Sequence, residues 1–327
     1  MQKQKGLTRV EVVVVVVLLL LAVWYVVAFH KSETIAKRIV CGSVLKGLGT
    51  AMTVYGNDYD GHYPVQGGEA HTLWATRTDG WYDPSRDWAS ASQVTVGASL
   101  YLLIREADVS PKSFVCTMSR EEQYGGQAPS RLDITELWDF GEWTPEPVKA
   151  EDDGIGNAHG PRNHVSYAYH MPYGPEGARS EFAAGGKHPA AFAVMADKNP
   201  WFDGKLETSA TGRSWKECVG AMQLYEGRRA SKRREVRSAN ARAHGREGQN
   251  VLFADGHYNY ERVSDAAINR DNIYTRQAEG GSEEAIRIGD PDEMPTYTID
   301  NKFQPRNGTD SFLVNDDSRL APYGSVK

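Results

Sequence analysis

The chain has 327 residues, 37 Lys and Arg against 43 Asp and Glu, a formal net charge of −6 and 40% apolar residues. That length leaves room for one large domain or two small ones beside a membrane segment, and the mild acidity argues against a nucleic-acid binder. The 32 glycines and 15 prolines point to turns and long loops rather than a helical bundle, and the 3 cysteines, Cys41, Cys116 and Cys218, have no Cys-x-x-Cys or Cys-x-x-His spacing that would mark a metal site.

The first element is an apolar run. No charge occurs between Val12 and Phe29. Read from Val10, the run makes a helix of roughly 30 Å, enough to cross a bilayer core. Lys3 and Lys5 precede it, which keeps the N-terminus in the cytoplasm and sends everything after His30 outside; Lys31, Lys37 and Arg38 soften that bias. Glu11 is the odd residue, because a carboxylate one turn into an apolar helix costs about 1–3 kcal/mol. It either snorkels at headgroup level or has a specific partner. The run is long and no small-x-small site follows it, which argues against a cleaved secretory signal and leaves a plain signal anchor as the bland reading.

The residues around Glu11 carry a sharper reading. A short basic leader, Gly6, Leu7, Thr8 and then Glu11 five positions after the glycine resemble the leader of type IV prepilins and type II secretion pseudopilins. Leu7 and Arg9 stand where that family usually has Phe and a hydrophobe. The resemblance implies a leader over 1–6, cleavage between Gly6 and Leu7 by a prepilin peptidase, and methylation of the new N-terminus. It also implies that Glu11 pairs with the free amine of Leu7 on a neighbouring subunit. Such a partner would convert the desolvation cost into subunit register.

The helix is expected to continue. Cys41, Leu45, Leu48, Met52 and Tyr55 fall at helical steps and form one apolar face, with Val44 and Ala51 alongside and Ile35 and Ile39 extending it backwards. Gly42, Gly47 and Gly49 each weaken the helix by up to ~1 kcal/mol, so packing must hold it. The expected element runs from about Thr8 to about Tyr55, with 7–29 in the membrane and 30–56 outside it, followed by a globular part over 57–327. Asn57 to Pro64 ends the helix in a turn. Cys41 to Pro64 as a whole, with Cys-x-x-x-Leu-Lys-x-Leu-Gly at its start, resembles the segment after the membrane helix in bacterial pseudopilin-like proteins.

Beyond the turn, Trp74, Trp81, Tyr82 and Trp88 lie in a polar stretch. They either plug a loop-rich domain or bind a sugar. Ser99 to Ala107 predicts a short helix ending near Asp108, and Ser113 to Cys116 predicts a short strand. Cys41 and Cys116 both lie near predicted core, and proteins of the resembled family often carry cysteines at both places. They are the expected disulfide, contributing at most ~4 kcal/mol on the chain-entropy argument, with Cys218 the odd one. Glu121 to Arg162 predicts a long loop or insertion. Val165 to Met171 and Ala190 to Ala196 predict strands. The eight basic residues between Arg228 and Arg246 make either a solvated loop or an anion-binding surface; no aromatic residue interleaves them, against single-strand stacking.

Gln249 to Glu261 predicts a β-hairpin, two alternating runs flanking a two-residue type I′ turn at Asp255-Gly256. Ten residues lie between His244 and that dipeptide, and His257 follows it. With Asp197 these residues invite a metal-site reading, although Asp255 is already explained by the turn. The stretch 244–261, with Asp271 to Thr275 downstream, is similar to a His, about nine residues, then Asp-Gly signature of prepilin-processing-associated proteins. The tail is expected to wrap the domain and end in a strand at Ser311 to Val314.

No phosphate-cradling loop, Gly-x-Ser-x-Gly or His-Glu-x-x-His motif occurs. The expectation is an α+β pseudopilin-like structural protein, its long N-terminal helix packed on an antiparallel sheet with large insertions. It is expected to be no enzyme and to need no cofactor. It would sit single-pass in the inner membrane with its C-terminal domain periplasmic or extracellular. Its partners would be a prepilin peptidase and other pilin-like subunits through the first helix, with no nucleic acid. The alternative is a membrane-anchored periplasmic binding or metal-dependent hydrolytic domain built on His244, Asp197, Asp255, His257 and the tryptophan cluster.

Overall fold

The computed structural model describes residues 8–66, 73–74, 83, 85, 93–119, 121–126, 132–141, 163–170, 182–200, 237, 239–280, 282–283, 286, 289 and 305–316. Gly6, Leu7, Trp81, Tyr82, Trp88, Cys218 and most of the basic stretch lie outside these residues.

One helix, α1 (Arg9–Asp58), is 50 residues long. Thr8 caps it: its hydroxyl accepts the Glu11 N–H at 3.4 Å, and the Glu11 carboxylate accepts the Thr8 N–H at 2.7 Å. This is a capping box, which satisfies two otherwise orphaned donors. The first half of α1 is apolar around its whole circumference and stands clear of the other described residues; Val10, Leu20 and Trp24 are 72%, 65% and 69% exposed. It is long and apolar enough to span a membrane.

The second half is packed. Cys41, Leu45, Leu48, Met52 and Tyr55 are buried, as their spacing predicts. Ile35 and Ile39 are exposed. At 3.6 residues per turn they fall roughly 120–160° away from Cys41, and the positions in line with the stripe are Thr34 and Arg38. The head begins at Arg38, whose guanidinium lies 4.2 Å from the Tyr260 ring centroid and 2.9 Å from the Glu247 carboxylate.

The head is a five-stranded antiparallel sheet. In chain order its strands are β3 (Tyr167–His170), β4 (Ala193–Asp197), β5 (Gln249–Phe253), β6 (Tyr258–Glu261) and β7 (Leu313–Val314), and in space they run β6-β5-β4-β3-β7. A separate two-residue parallel pair joins β1 (Leu73–Trp74) to β2 (Gln93–Val94). β3, β4 and β5 are buried on both faces, which suits their near-continuous apolar runs. The α+β class, one long helix on an antiparallel sheet, matches the expectation.

α1 lies across β5 and β6 and against α2 (Val96–Ala107). Two glycines set how closely it approaches. A Cβ at Gly42 would overlap the Tyr258 ring, and one at Gly49 would sit 2.6 Å from Leu252 Cδ1. Gly47 has open space around it. Beyond α1, the Tyr63 hydroxyl donates to the Ala254 carbonyl at 2.8 Å and ties the turn to the hairpin loop.

α2 starts three residues earlier than Ser99. Thr95 caps it by accepting the Ala98 N–H at 2.8 Å. The Asp316 carboxylate, just past β7, accepts the Val96 and Gly97 N–H groups at 2.9 and 2.6 Å. A carboxylate on the free N–H groups of a helix start is favoured by both hydrogen bonding and the helix dipole. Asp316→Ala is therefore expected to destabilise the head by about 1–2 kcal/mol, read as a lower midpoint in urea; an unchanged midpoint would show that the clamp contributes nothing.

Two local predictions are corrected. Ser113 to Cys116 is no strand: Pro111–Phe114 form a 3₁₀ turn that leaves only Val115 extended. Pro111 sits in the first turn, where its fixed φ favours helical geometry. The hairpin loop is not a two-residue type I′ turn at Asp255-Gly256 either. Gly256 N–H donates to the Phe253 carbonyl at 2.9 Å, Phe253 N–H donates to the His257 carbonyl at 3.0 Å, and only Gly256 has positive φ, at 81°. The loop is thus Ala254-Asp255-Gly256, a type I turn closed by a left-handed glycine. Asp255 favours it because its carboxylate accepts the His257 N–H at 3.0 Å.

The long stretch after Glu121 is more than a loop where it is described. Tyr124, Leu137 and Phe140 are buried, and Phe140 meets Tyr101 and Phe114 edge-to-face at 4.9 and 5.1 Å between centroids.

Candidate functional site

Four distant parts of the chain deliver polar side chains to one point beside α1. Cys41 lies one turn below Arg38 on the buried face of the helix. Cys116 follows the Pro111 turn, its N–H donating to Ser166 Oγ at 2.6 Å. Asp197 ends β4, and His244 stands in the loop that enters β5. Cys41 is 1% exposed, Cys116 2%, His244 2% and Asp197 0%.

The side chains converge. Cys41 Sγ, Cys116 Sγ and a His244 ring nitrogen all lie within 4.8 Å of one another. Cys116 Sγ is 3.7 Å from His244 Nε2, and Asp197 Oδ2 is 3.3 Å from the same nitrogen. Asn250 Nδ2 approaches it at 3.1 Å, and Met118 Sδ lies 3.0 Å from Nδ1 on the other side of the ring. His244 Nε2 thus faces the Asn250 amide, the Asp197 carboxylate and the Cys116 sulfur together, with Nδ1 turned toward Met118. Asp197 Oδ2 also accepts the Asn250 N–H at 2.7 Å, whereas Oδ1 is buried with no hydrogen-bond partner.

The backbone at His244 is unusual. His244, Gly245 and Arg246 have φ of 58°, 67° and 60°, three left-handed residues in succession. Two of the three carry a Cβ, a conformation that persists only where surrounding structure fixes it. Here the fixing is explicit. Arg237 donates to the Gly245 carbonyl at 2.6 Å, Arg246 donates to the Asn240 carbonyl at 3.1 Å, and the Asn240 amide donates to the Arg262 carbonyl at 2.8 Å. So Arg237 and Arg246 brace the loop that presents His244.

The structure holds Cys41 and Cys116 as free thiols and not as the expected disulfide. The Cys116 thiol donates to the Cys41 sulfur, which brings the Cys41 thiol down to about 6. As the donor of that bond, and being buried, Cys116 is pushed far up. The Cys41 sulfur also lies 3.4 Å from Thr117 Oγ1.

The four-residue set of Asp197, His244, Asp255 and His257 divides. Asp197 and His244 come together, while Asp255 and His257 pair with each other at the exposed hairpin loop. His257 also stacks on Phe253, with centroids 4.4 Å apart. The residues that sequence reading did not join to His244 are the two cysteines, Asn250 and Met118. No spacing rule joins the cysteines to His244, because Cys116 lies 75 positions after Cys41 and 128 positions before His244.

No protein-family model, curated protein or solved structure matches this chain.

Proposed function

We propose that this protein is a pseudopilin-like structural subunit, anchored in the inner membrane by the first half of α1. In this reading a prepilin peptidase cuts between Gly6 and Leu7, and the subunit packs through α1 into a type IV pilus-like or type II secretion pseudopilus filament. The division of α1 carries the reading. One uninterrupted helix has a bare apolar half with a single carboxylate, Glu11, near its start, and a half buried in an α+β head. A helix that is apolar all round is suited first to lipid and then to a bundle of identical helices. A pilin-like head is the finer description of a sheet laid against such a helix. Lys3 and Lys5 orient the head away from the cytoplasm.

The hydrolytic alternative draws less from the cluster around His244. A catalytic metal site keeps a position open to water and substrate, whereas Cys41, Cys116, Asp197 and His244 are all buried.

The deciding experiment is the N-terminal mass of the protein isolated from its own membranes. The expected chain begins at Leu7, with or without one methyl group. A chain beginning at Met1 or Gln2 would mean that no such processing occurs, and the pseudopilin reading would be abandoned for a plain signal anchor.

A further inference from the structure

We propose that Cys41, Cys116 and His244, with Asp197 as the fourth donor, form a structural site for one tetrahedral transition-metal ion of the zinc class. The inference does not rest on the pseudopilin reading.

The donor set fits the chemistry. Two thiolates, one imidazole and one carboxylate are all established zinc ligands. The spacing fits along the edges through His244 Nε2; Asp197 stands outside the trio whose ligand atoms lie within 4.8 Å of one another and would close on the sulfurs as the ion binds. With metal–sulfur bonds of about 2.3 Å and metal–nitrogen or –oxygen bonds of about 2.0–2.1 Å, a tetrahedron has sulfur–nitrogen edges of about 3.6 Å and nitrogen–oxygen edges of about 3.4 Å. The corresponding separations are 3.7 Å for Cys116 Sγ to His244 Nε2 and 3.3 Å for Asp197 Oδ2 to His244 Nε2.

Two further observations point to an ion rather than to a disulfide. Asp197 Oδ1 is fully buried and has no hydrogen-bond partner. A buried carboxylate with one oxygen lacking a donor is costly, and a cation beside Asp197 would offset its charge. In addition, the His244 ring is brought into the cluster by a left-handed backbone that three side chains brace. A Cys41–Cys116 bridge would use neither His244 nor Asp197, whereas one ion uses all four groups. Binding requires both thiols to lose their protons to solvent, with no change of oxidation state. The bound thiolates are then withheld from oxidation.

The location assigns the site its task. Its ligands come from α1, from the turn before Cys116, from the end of β4 and from the loop before β5. They meet one turn below the point where α1 leaves the head. An ion there would fix the direction of the helix relative to the sheet.

The test uses the full chain, purified in detergent without chelator and assayed for metal by mass spectrometry, together with peptide mapping under non-reducing conditions. The expected result is about one zinc per chain, lost in Cys41→Ser and in His244→Ala and kept in His244→Cys, whose thiolate can replace the imidazole. Exchange of the wild-type protein into cobalt(II) is expected to give thiolate-to-cobalt charge-transfer bands and the visible bands of a tetrahedral ion. That readout needs no variant to fold. Recovery of a Cys41–Cys116 disulfide from the wild-type protein overturns the proposal. So does a reduced wild-type protein that takes up no stoichiometric zinc or cobalt, or zinc that persists in both His244→Ala and Cys41→Ser.

Discussion

Gly49→Leu is expected to destabilise the head by about 3 kcal/mol or more, whereas Gly47→Ala, two residues away, is expected to stabilise it by up to about 1 kcal/mol. Both glycines lie in the packed half of α1, and helix propensity alone would have both substitutions help. The surroundings separate them. A Cβ at Gly49 would sit 2.6 Å from Leu252 Cδ1 and 3.1 Å from Cδ2. Leu252 cannot easily yield, because it is 1% exposed on β5, between β4 and β6. Added bulk must therefore lift α1 from the sheet or push the hairpin out of register. At Gly47 nothing lies within 4 Å of the new carbon, so only the gain in helix propensity remains. A loss of 3 kcal/mol corresponds to a drop of roughly 6–12 °C in Tm for a domain of this size. Thermal melts of the two variants read the opposite signs directly. Equal responses at the two positions would mean that α1 does not lie on β5 as described.

The same glycines show where sequence reading reaches its limit. Spacing alone located the buried stripe from Cys41 to Tyr55, because helical periodicity is a local property. The strands around Tyr167, Ala193, Gln249 and Leu313 were legible for the same reason, as short apolar runs bounded by turn residues. Gly42 and Gly49 read only as weak points, since their use depends on Tyr258 and Leu252 more than 200 residues away. The loop at Asp255-Gly256 was legible as a hairpin but not as a turn type. Asp255 accepts the His257 N–H, which favours a type I turn with a left-handed glycine over the type I′ pair suggested by the dipeptide. The cluster around His244 was legible only in fragments. Cys41, Cys116 and His244 each lie in a stretch that carries the pseudopilin resemblance and Asp197 follows a predicted strand, yet no spacing rule joins the four. They meet because the hairpin and the Pro111 turn close against α1 while β4 lies beside β5 in the sheet.

Glu11→Gln is expected to reduce incorporation into filaments by roughly 10²-fold or more while leaving the thermal stability of the head unchanged. The two effects separate because of distance. Glu11 and Cys41 are 30 residues apart on one helix, about 45 Å at 1.5 Å per residue, and among the described residues nothing from the head touches the first turn. Within the single chain Glu11 does local work, accepting the Thr8 N–H at 2.7 Å. Gln can take that place in a capping box, so Glu11→Gln keeps the cap and removes only the charge. If Glu11 pairs with the free amine of Leu7 on a neighbouring subunit, losing the charge leaves an ammonium group unpaired among apolar helices. Breaking one side of a buried ion pair costs about 3–5 kcal/mol, which as a binding term is at least a 10²-fold loss. If Glu11 only snorkels at the headgroups, Glu11→Gln should assemble like the unaltered protein. The measurement is the fraction of protein in sheared filaments against that left in membranes, with the head's Tm taken on the same samples. A fall in both quantities together would mean that the variant is misfolded. A fall in assembly alone would assign the carboxylate to a contact between subunits, since no other charge lies between Val12 and Phe29 to compensate for it.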